Sequence, residues 1–68
     1  MAQRLEKQLS VFLRRKRGAL TFAEFSRKVG LPPSTLHRLE AGRQSITLRN
    51  LQLIMSRLKC RLWDVFPP

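Results

Sequence analysis

Cysteine and acid are nearly missing from this chain: its 68 residues hold one Cys, four Asp plus Glu and one His. A lone Cys60 forms no internal disulfide, which fits a reducing compartment and casts it as a small buried apolar residue. Cys60 and His37 together fall short of the four ligands usual in a structural zinc site. Four carboxylates and one imidazole leave little material for an active site, and no nucleophile–base pair has support in the spacing. The expectation is a non-enzyme with no cofactor and no metal. Long hydrophobic runs are missing too. Nothing approaches the ~20 apolar residues of a membrane span. Met1–Ser10 alternates charge with Leu, without the roughly 7–15-residue apolar stretch of a secretory signal. No membrane partner is expected, and the cytoplasm is the expected address. Strand alternation, internal repeats and low-complexity linkers are also not found.

What is abundant is positive charge. Fourteen Lys plus Arg against the four acids give a formal net charge of +10, about one excess cation per seven residues. That exceeds what solubility needs, and with 43% apolar residues the chain is not compositionally disordered. Area scaling at this size gives roughly 4,500 Å² folded against roughly 11,600 Å² unfolded, a burial of about 60% and a marginal core that oligomerisation would support. A folded, polycationic, acid-poor single domain spanning residues 1–68 points to a polyanionic partner.

The spacing predicts five short helices. Leu5, Leu9, Phe12 and Leu13 recur at helical period within Gln3–Arg17, with polar neighbours outward, until Gly18-Ala19 interrupts. Thr21-Phe22-Ala23-Glu24 is a capping box opening a second helix over Phe22–Val29, with Leu20 and Phe25 placed for a hydrophobic staple. Gly30 stops it. Leu31-Pro32-Pro33 follows, and Pro33 suits the first position of a third helix, Pro33–Ala41, with Leu36, Leu39 and Glu40 inward. Thr47 caps a fourth, Leu48–Lys59, whose stripe is Leu48, Leu51, Ile54, Met55 and Leu58. Leu62–Phe66 forms a short fifth segment before Pro67-Pro68.

Two short helices joined by a tight Gly-containing turn in a basic domain form a helix-turn-helix arrangement, here over about residues 22–41. The block Thr21-Phe22-Ala23-Glu24-Phe25-Ser26-Arg27-Lys28-Val29-Gly30, then Ser34-Thr35-Leu36-His37-Arg38-Leu39-Glu40-Ala41-Gly42-Arg43, resembles the phage-repressor and Cro-like family, the XRE-type helix-turn-helix domains. Thr47-Leu48, Leu51, Ile54, Leu58 and Trp63-Asp64-Val65-Phe66 resemble that family's last two helices, so the likeness runs from Leu5 to Phe66. It implies an all-α, five-helix, lambda-repressor-like fold. It also implies a transcriptional regulator that binds double-stranded DNA and represses from a short palindromic operator, with helix 33–41 in the major groove.

Helical geometry puts Pro33, Ser34, His37, Arg38 and Ala41 on one face. The resemblance assigns base reading to Pro33, Ser34 and Arg38, with His37 beside them, and Arg is suited to guanine O6 and N7. Phosphates would be held by Thr35, Arg43, Gln44 and Ser45 and by the start of the second helix. The family's pairing of a first-helix Arg with the Glu ending the recognition helix falls on Arg15 and Glu40. Four positions depart from the family pattern. Phe22 stands where Gln is common, Pro33 where a base-reading Gln is common, Ser26 where Ala is usual, and Lys59-Cys60 where a turn glycine is usual. The Arg14–Arg17 run reads as a solvated face that attracts DNA non-specifically.

Members of such a family usually bind inverted half-sites as homodimers. Leu53, Trp63, Val65 and Phe66 are the expected exposed apolar contact between subunits. The alternative is an antitoxin-type module that binds a toxin and its own promoter with the same fold, which would need more surface than the chain offers beyond Phe66.

Overall fold

The computed structural model describes residues 2–68, with side-chain exposure from Arg4 onward. Five helices and no strand occur among them: α1 (Ala2–Arg17), α2 (Phe22–Val29), α3 (Pro33–Glu40), α4 (Leu48–Leu58) and α5 (Leu62–Val65). Helix starts follow the side-chain caps. Thr21 Oγ1 accepts the Glu24 N–H at 3.1 Å while the Thr21 N–H donates to Glu24 Oε1 at 2.8 Å, so both groups of the capping box are satisfied. Thr47 Oγ1 accepts the Asn50 N–H at 3.1 Å. α3 ends one residue earlier than the spacing suggests, because the Gly42 N–H closes onto the Leu39 carbonyl at 3.1 Å and tightens the last turn. α4 ends at Leu58, and Lys59 takes the left-handed cap at φ 54°, ψ 49°. It is the residue that stands where a glycine would cost least.

The core gathers Leu9, Phe12 and Leu13 of α1, Phe25 and Val29 of α2, Leu31 of the α2–α3 turn, Leu36 and Leu39 of α3, Leu51 and Ile54 of α4, and Val65. Leu5 and Leu48, expected inward, are 55% and 84% exposed. Leu48 is the first residue of its helix and Leu5 the fourth, and both border an open apolar groove. α1 is the central element. It packs against α3 on one side and α5 on the other, while α2 packs on α3 and α4.

The α1–α3 contact is organised around Glu40, which is buried. Its carbonyl accepts the Ser10 hydroxyl and, at 3.3 Å, Arg14 Nη2. Its carboxylate takes both Arg17 Nε to Oε2 at 2.7 Å and Arg17 Nη2 to Oε1 at 3.1 Å, a bidentate pair. Arg17 Nη1 also donates to the Leu20 carbonyl at 2.9 Å, and its guanidinium lies 4.2 Å from the Phe22 ring centroid. The bonds from Glu40 hold the Arg17 guanidinium protonated to still higher pH than usual. The expected partner Arg15 is therefore corrected to Arg17. Ser10, Arg14 and Arg17 recur at i, i+4 and i+7 and face α3, whereas Arg15 lies about 100° further round. Arg15 is exposed and borders the cleft that Asp64 lines.

One expected subunit contact is corrected as well. Val65 is fully buried, because α5 is a single turn whose one inward position rests on the core. Leu53 is half-buried over the α2–α3 turn, its Cδ2 3.4 Å from where a Cβ on Gly30 would stand.

Replacing a member of this node separates the two arginines. Arg17→Ala and Glu40→Ala are each expected to lower Tm by roughly 5–15 °C, since one leaves a buried carboxylate unpaired and the other strands its cation. Arg15→Ala is expected to leave the thermal circular-dichroism melt nearly unchanged. Equal losses for Arg15→Ala and Arg17→Ala would contradict the assignment.

The capping box carries a pH signature. The Thr21 backbone N–H, then its hydroxyl, hold the Glu24 carboxyl below the ordinary glutamate range. The folded value lies below the unfolded one, so the stabilisation is complete above the unfolded value and is lost as pH falls through the folded value. Glu24→Gln should give a lower Tm at neutral pH and a shallower loss of Tm between pH 5 and 3.

Candidate nucleic-acid interface

α3 is held at a fixed angle to α2 by a three-residue turn, Gly30 to Pro32. Gly30 adopts φ 83°, and its N–H donates to the Ser26 carbonyl at 2.8 Å. The Leu53 and Arg57 side chains lie at van der Waals distance from the place a Cβ would occupy, so the positive φ and not lack of space is what favours glycine there. Ser26 does more than spare room: its hydroxyl donates to the Leu31 carbonyl across the turn, and Leu31 itself is buried. Phe22, at the start of α2, is half-buried between the Arg17 guanidinium and the His37 ring. The two rings lie 5.2 Å apart between centroids at 57°. Phe22, at a position where the resembling family commonly has glutamine, thus packs the start of α2 against α3.

Burial of Leu36, Leu39 and Glu40 turns the opposite side of α3 outward. Pro33, Ser34, His37 and Arg38 are all exposed there, and Thr35 is half-buried. His37 is tethered through Phe22, so its ring is fixed at the helix junction. Arg38 is braced twice: its Nε donates to Gln44 Oε1 at 2.6 Å, and its carbonyl accepts the Arg43 N–H at 3.0 Å. That leaves the Nη1–Nη2 edge of the guanidinium, two parallel donors, for an outside acceptor. Arg43 is exposed at the end of this brace and Gln44 is half-buried within it. Ser45 sits apart from this set, its hydroxyl donating to Glu6 Oε2 of α1 at 3.0 Å.

The four acids are all engaged away from the exposed side of α3. Glu6 holds Ser45, Glu24 caps α2, Glu40 pairs with Arg17, and Asp64 accepts the Arg61 N–H at 2.8 Å. The surface around Arg38 and Arg43 is consequently cationic without local compensation. Reading the sequence missed Arg17 and the Gln44 brace. The first shares the side of α1 that carries Ser10, at i, i+7, but which side meets α3 is set by packing. The second spans an irregular loop and had no periodic signal.

No helix among the described residues is long and apolar enough to cross a membrane. A family sequence profile described as helix-turn-helix matches residues 13–62, about three quarters of the chain. Searches of curated proteins and of solved structures give no significant match. The profile covers α2, α3, the turn between them and the whole of α4, and with this geometry the chain belongs to the XRE/Cro-like helix-turn-helix family of DNA-binding transcription regulators.

Proposed function

We propose that the protein represses transcription by occupying a short palindromic operator as a homodimer, with α3 of each subunit in a major groove. The observation that carries the reading is the braced Arg38. Its Nε is already committed to Gln44, so its remaining pair of donors is oriented before DNA arrives and matches guanine O6 and N7. Ser34 and Pro33 stand at the leading end of the helix, where side chains reach base edges. Pro32 and Pro33 have no N–H, so the first backbone donors there belong to Ser34 and Thr35, which suit a phosphate. Arg43 follows immediately as a point of phosphate attachment, with the Gln44 amide beside it. Ser45 adds least, because Glu6 already holds its hydroxyl.

The subunit contact we propose differs from the sequence expectation in its residues. An apolar groove of about 430 Å³ between α1, α4 and α5 is lined by Leu5, Ile46, Leu48, Leu62 and Phe66. Leu48, Leu62 and Trp63 are among the most exposed large apolar side chains, at 84%, 51% and 60%. A protruding leucine beside a leucine-lined groove is the self-complementary pattern a two-fold contact uses.

Selection from a randomised duplex library should enrich a palindrome. Arg38→Ala is expected to relax one base position by about 1–3 kcal/mol, while Arg43→Ala weakens all duplexes alike and lowers the log–log salt slope by about 1. Uniform binding to every duplex by the wild type would defeat the proposal. Leu48→Asp should shift the sedimentation coefficient from dimer to monomer at the same concentration. A wild type that sediments as a monomer in the presence of operator would refute the homodimer.

A further inference from the structure

The proposed reading uses only a few of the cations, those around α3. A second cluster lies elsewhere. Gln8, Phe12 and Arg15 face α5, on the side of α1 opposite the Ser10, Arg14 and Arg17 stripe that faces α3. Between α1, the α4–α5 joint and α5 is an open cleft of about 450 Å³ bordered by Arg15, Lys16, Lys59 and Asp64. A neighbouring depression shares Arg15 and Asp64 and extends along α1 to Lys7 and Arg4. Arg4, Lys7 and Arg15 lie at i, i+3 and i+11, an outward stripe about 16 Å long at 1.5 Å per residue. Five cations thus share one surface with one acid, and that acid already accepts the Arg61 N–H.

Such a cluster is unfavourable by itself, since like charges repel and the fold gains no ion pair from them. Lys59 sharpens the point. It holds a left-handed backbone at φ 54°, where glycine would be easier, and its side chain adds a cation to the cleft instead. Lys16 is drawn to the same place, its Nζ 5.7 Å from the Phe12 ring centroid.

We propose that this α1–α5 surface is a second polyanion site that takes the phosphodiester backbone of a second DNA duplex, so that one protein bridges two DNA segments. The proposal rests on α3 holding the first duplex. Both α3 helices of a dimer are occupied by one palindrome, so a second segment needs a different surface. The spread of the cations along a straight stripe suits successive phosphates, which lie a few ångströms apart along each strand. Val11, at 45% exposed, is the one large apolar side chain exposed on this stripe, too little apolar surface for insertion into a lipid interface.

The test is a bridging assay. Operator duplex selected by the wild type is fixed to beads, saturated with protein, and then offered a fluorescent duplex of unrelated sequence. The triple variant Arg15→Gln, Lys16→Gln, Lys59→Gln should retain operator binding within about threefold. It should capture the second duplex at least tenfold less, with a salt slope for capture shallower by about 2–3. A charge-matched variant, Arg27→Gln, Lys28→Gln, Arg49→Gln, should still bridge. Lys59→Gly should lower capture without lowering Tm, which a purely structural lysine would not do. Capture unchanged in the triple variant, or lost equally in the charge-matched one, would overturn the proposal. So would binding to phosphatidylglycerol vesicles in place of duplex, lost in the same triple variant. Failure of the operator selection itself would count against the repressor reading instead, because binding of unrelated duplex in solution by an Arg38→Ala, Arg43→Ala protein, read by fluorescence anisotropy and lost when the triple substitution is added, still reports on the second surface.

Discussion

The bidentate pair between Arg17 and Glu40 is the constraint on which the placement of α3 depends. One guanidinium joins the end of α1, the Leu20 carbonyl in the α1–α2 loop, the Phe22 ring at the start of α2, and the carboxylate ending α3. Ser10 and Arg14 secure the carbonyl of the same glutamate. A partly buried ion pair adds uncertain net stability, because desolvation offsets much of its attraction. Its geometric effect is clearer. It fixes where α3 ends, and the loop carrying Arg43 and Gln44 starts from that point.

Orientation then passes outward by contact. Phe22 transmits the position of Arg17 to His37, Ser26 and Gly30 hold the turn, and Gln44 aims Arg38. Each of these is a direct contact, so the exposed side of α3 is ordered in the free protein. That matters in a domain with so small a core, where ordering on binding would take back much of the affinity. The scarcity of acid serves the same end. Each carboxylate is occupied with a cap, a loop or the central pair, and none stands beside Arg38.

The remaining cations divide by position and not by sequence neighbourhood. Arg14 and Arg17 turn inward to Glu40, while Arg15 and Lys16, between them in the chain, border a cleft on another side of α1. A run of four basic residues that looks like one feature thus serves at least two surfaces. The same applies to apolar residues: Val65 goes to the core, Trp63 and Leu62 to solvent.

The local patterns were legible because they depend on neighbours within a turn or two. The Thr21–Glu24 box, the Thr47 cap, the Gly30 stop, Pro33 at a helix start and the inward Leu36, Leu39 and Glu40 all follow from capping chemistry and a period of 3.6 residues, and with them the five-helix fold and the exposed side of α3. Other features depended on which helix lies against which. A choice between Arg15 and Arg17 is a rotation of about 160° about α1, and residue type alone cannot make it. Leu5 and Leu48 fit their helical stripes yet overhang the core, since periodicity gives a direction but not how far the packed neighbour extends. The Gln44 brace and the α1–α5 cleft join residues distant in the chain through irregular segments, where spacing carries no angular information. The sequence by itself therefore determined the elements and their faces. Only the packing of α1 between α3 and α5 decided which charge meets which, because long-range pairing is set by the relative placement of rigid helices.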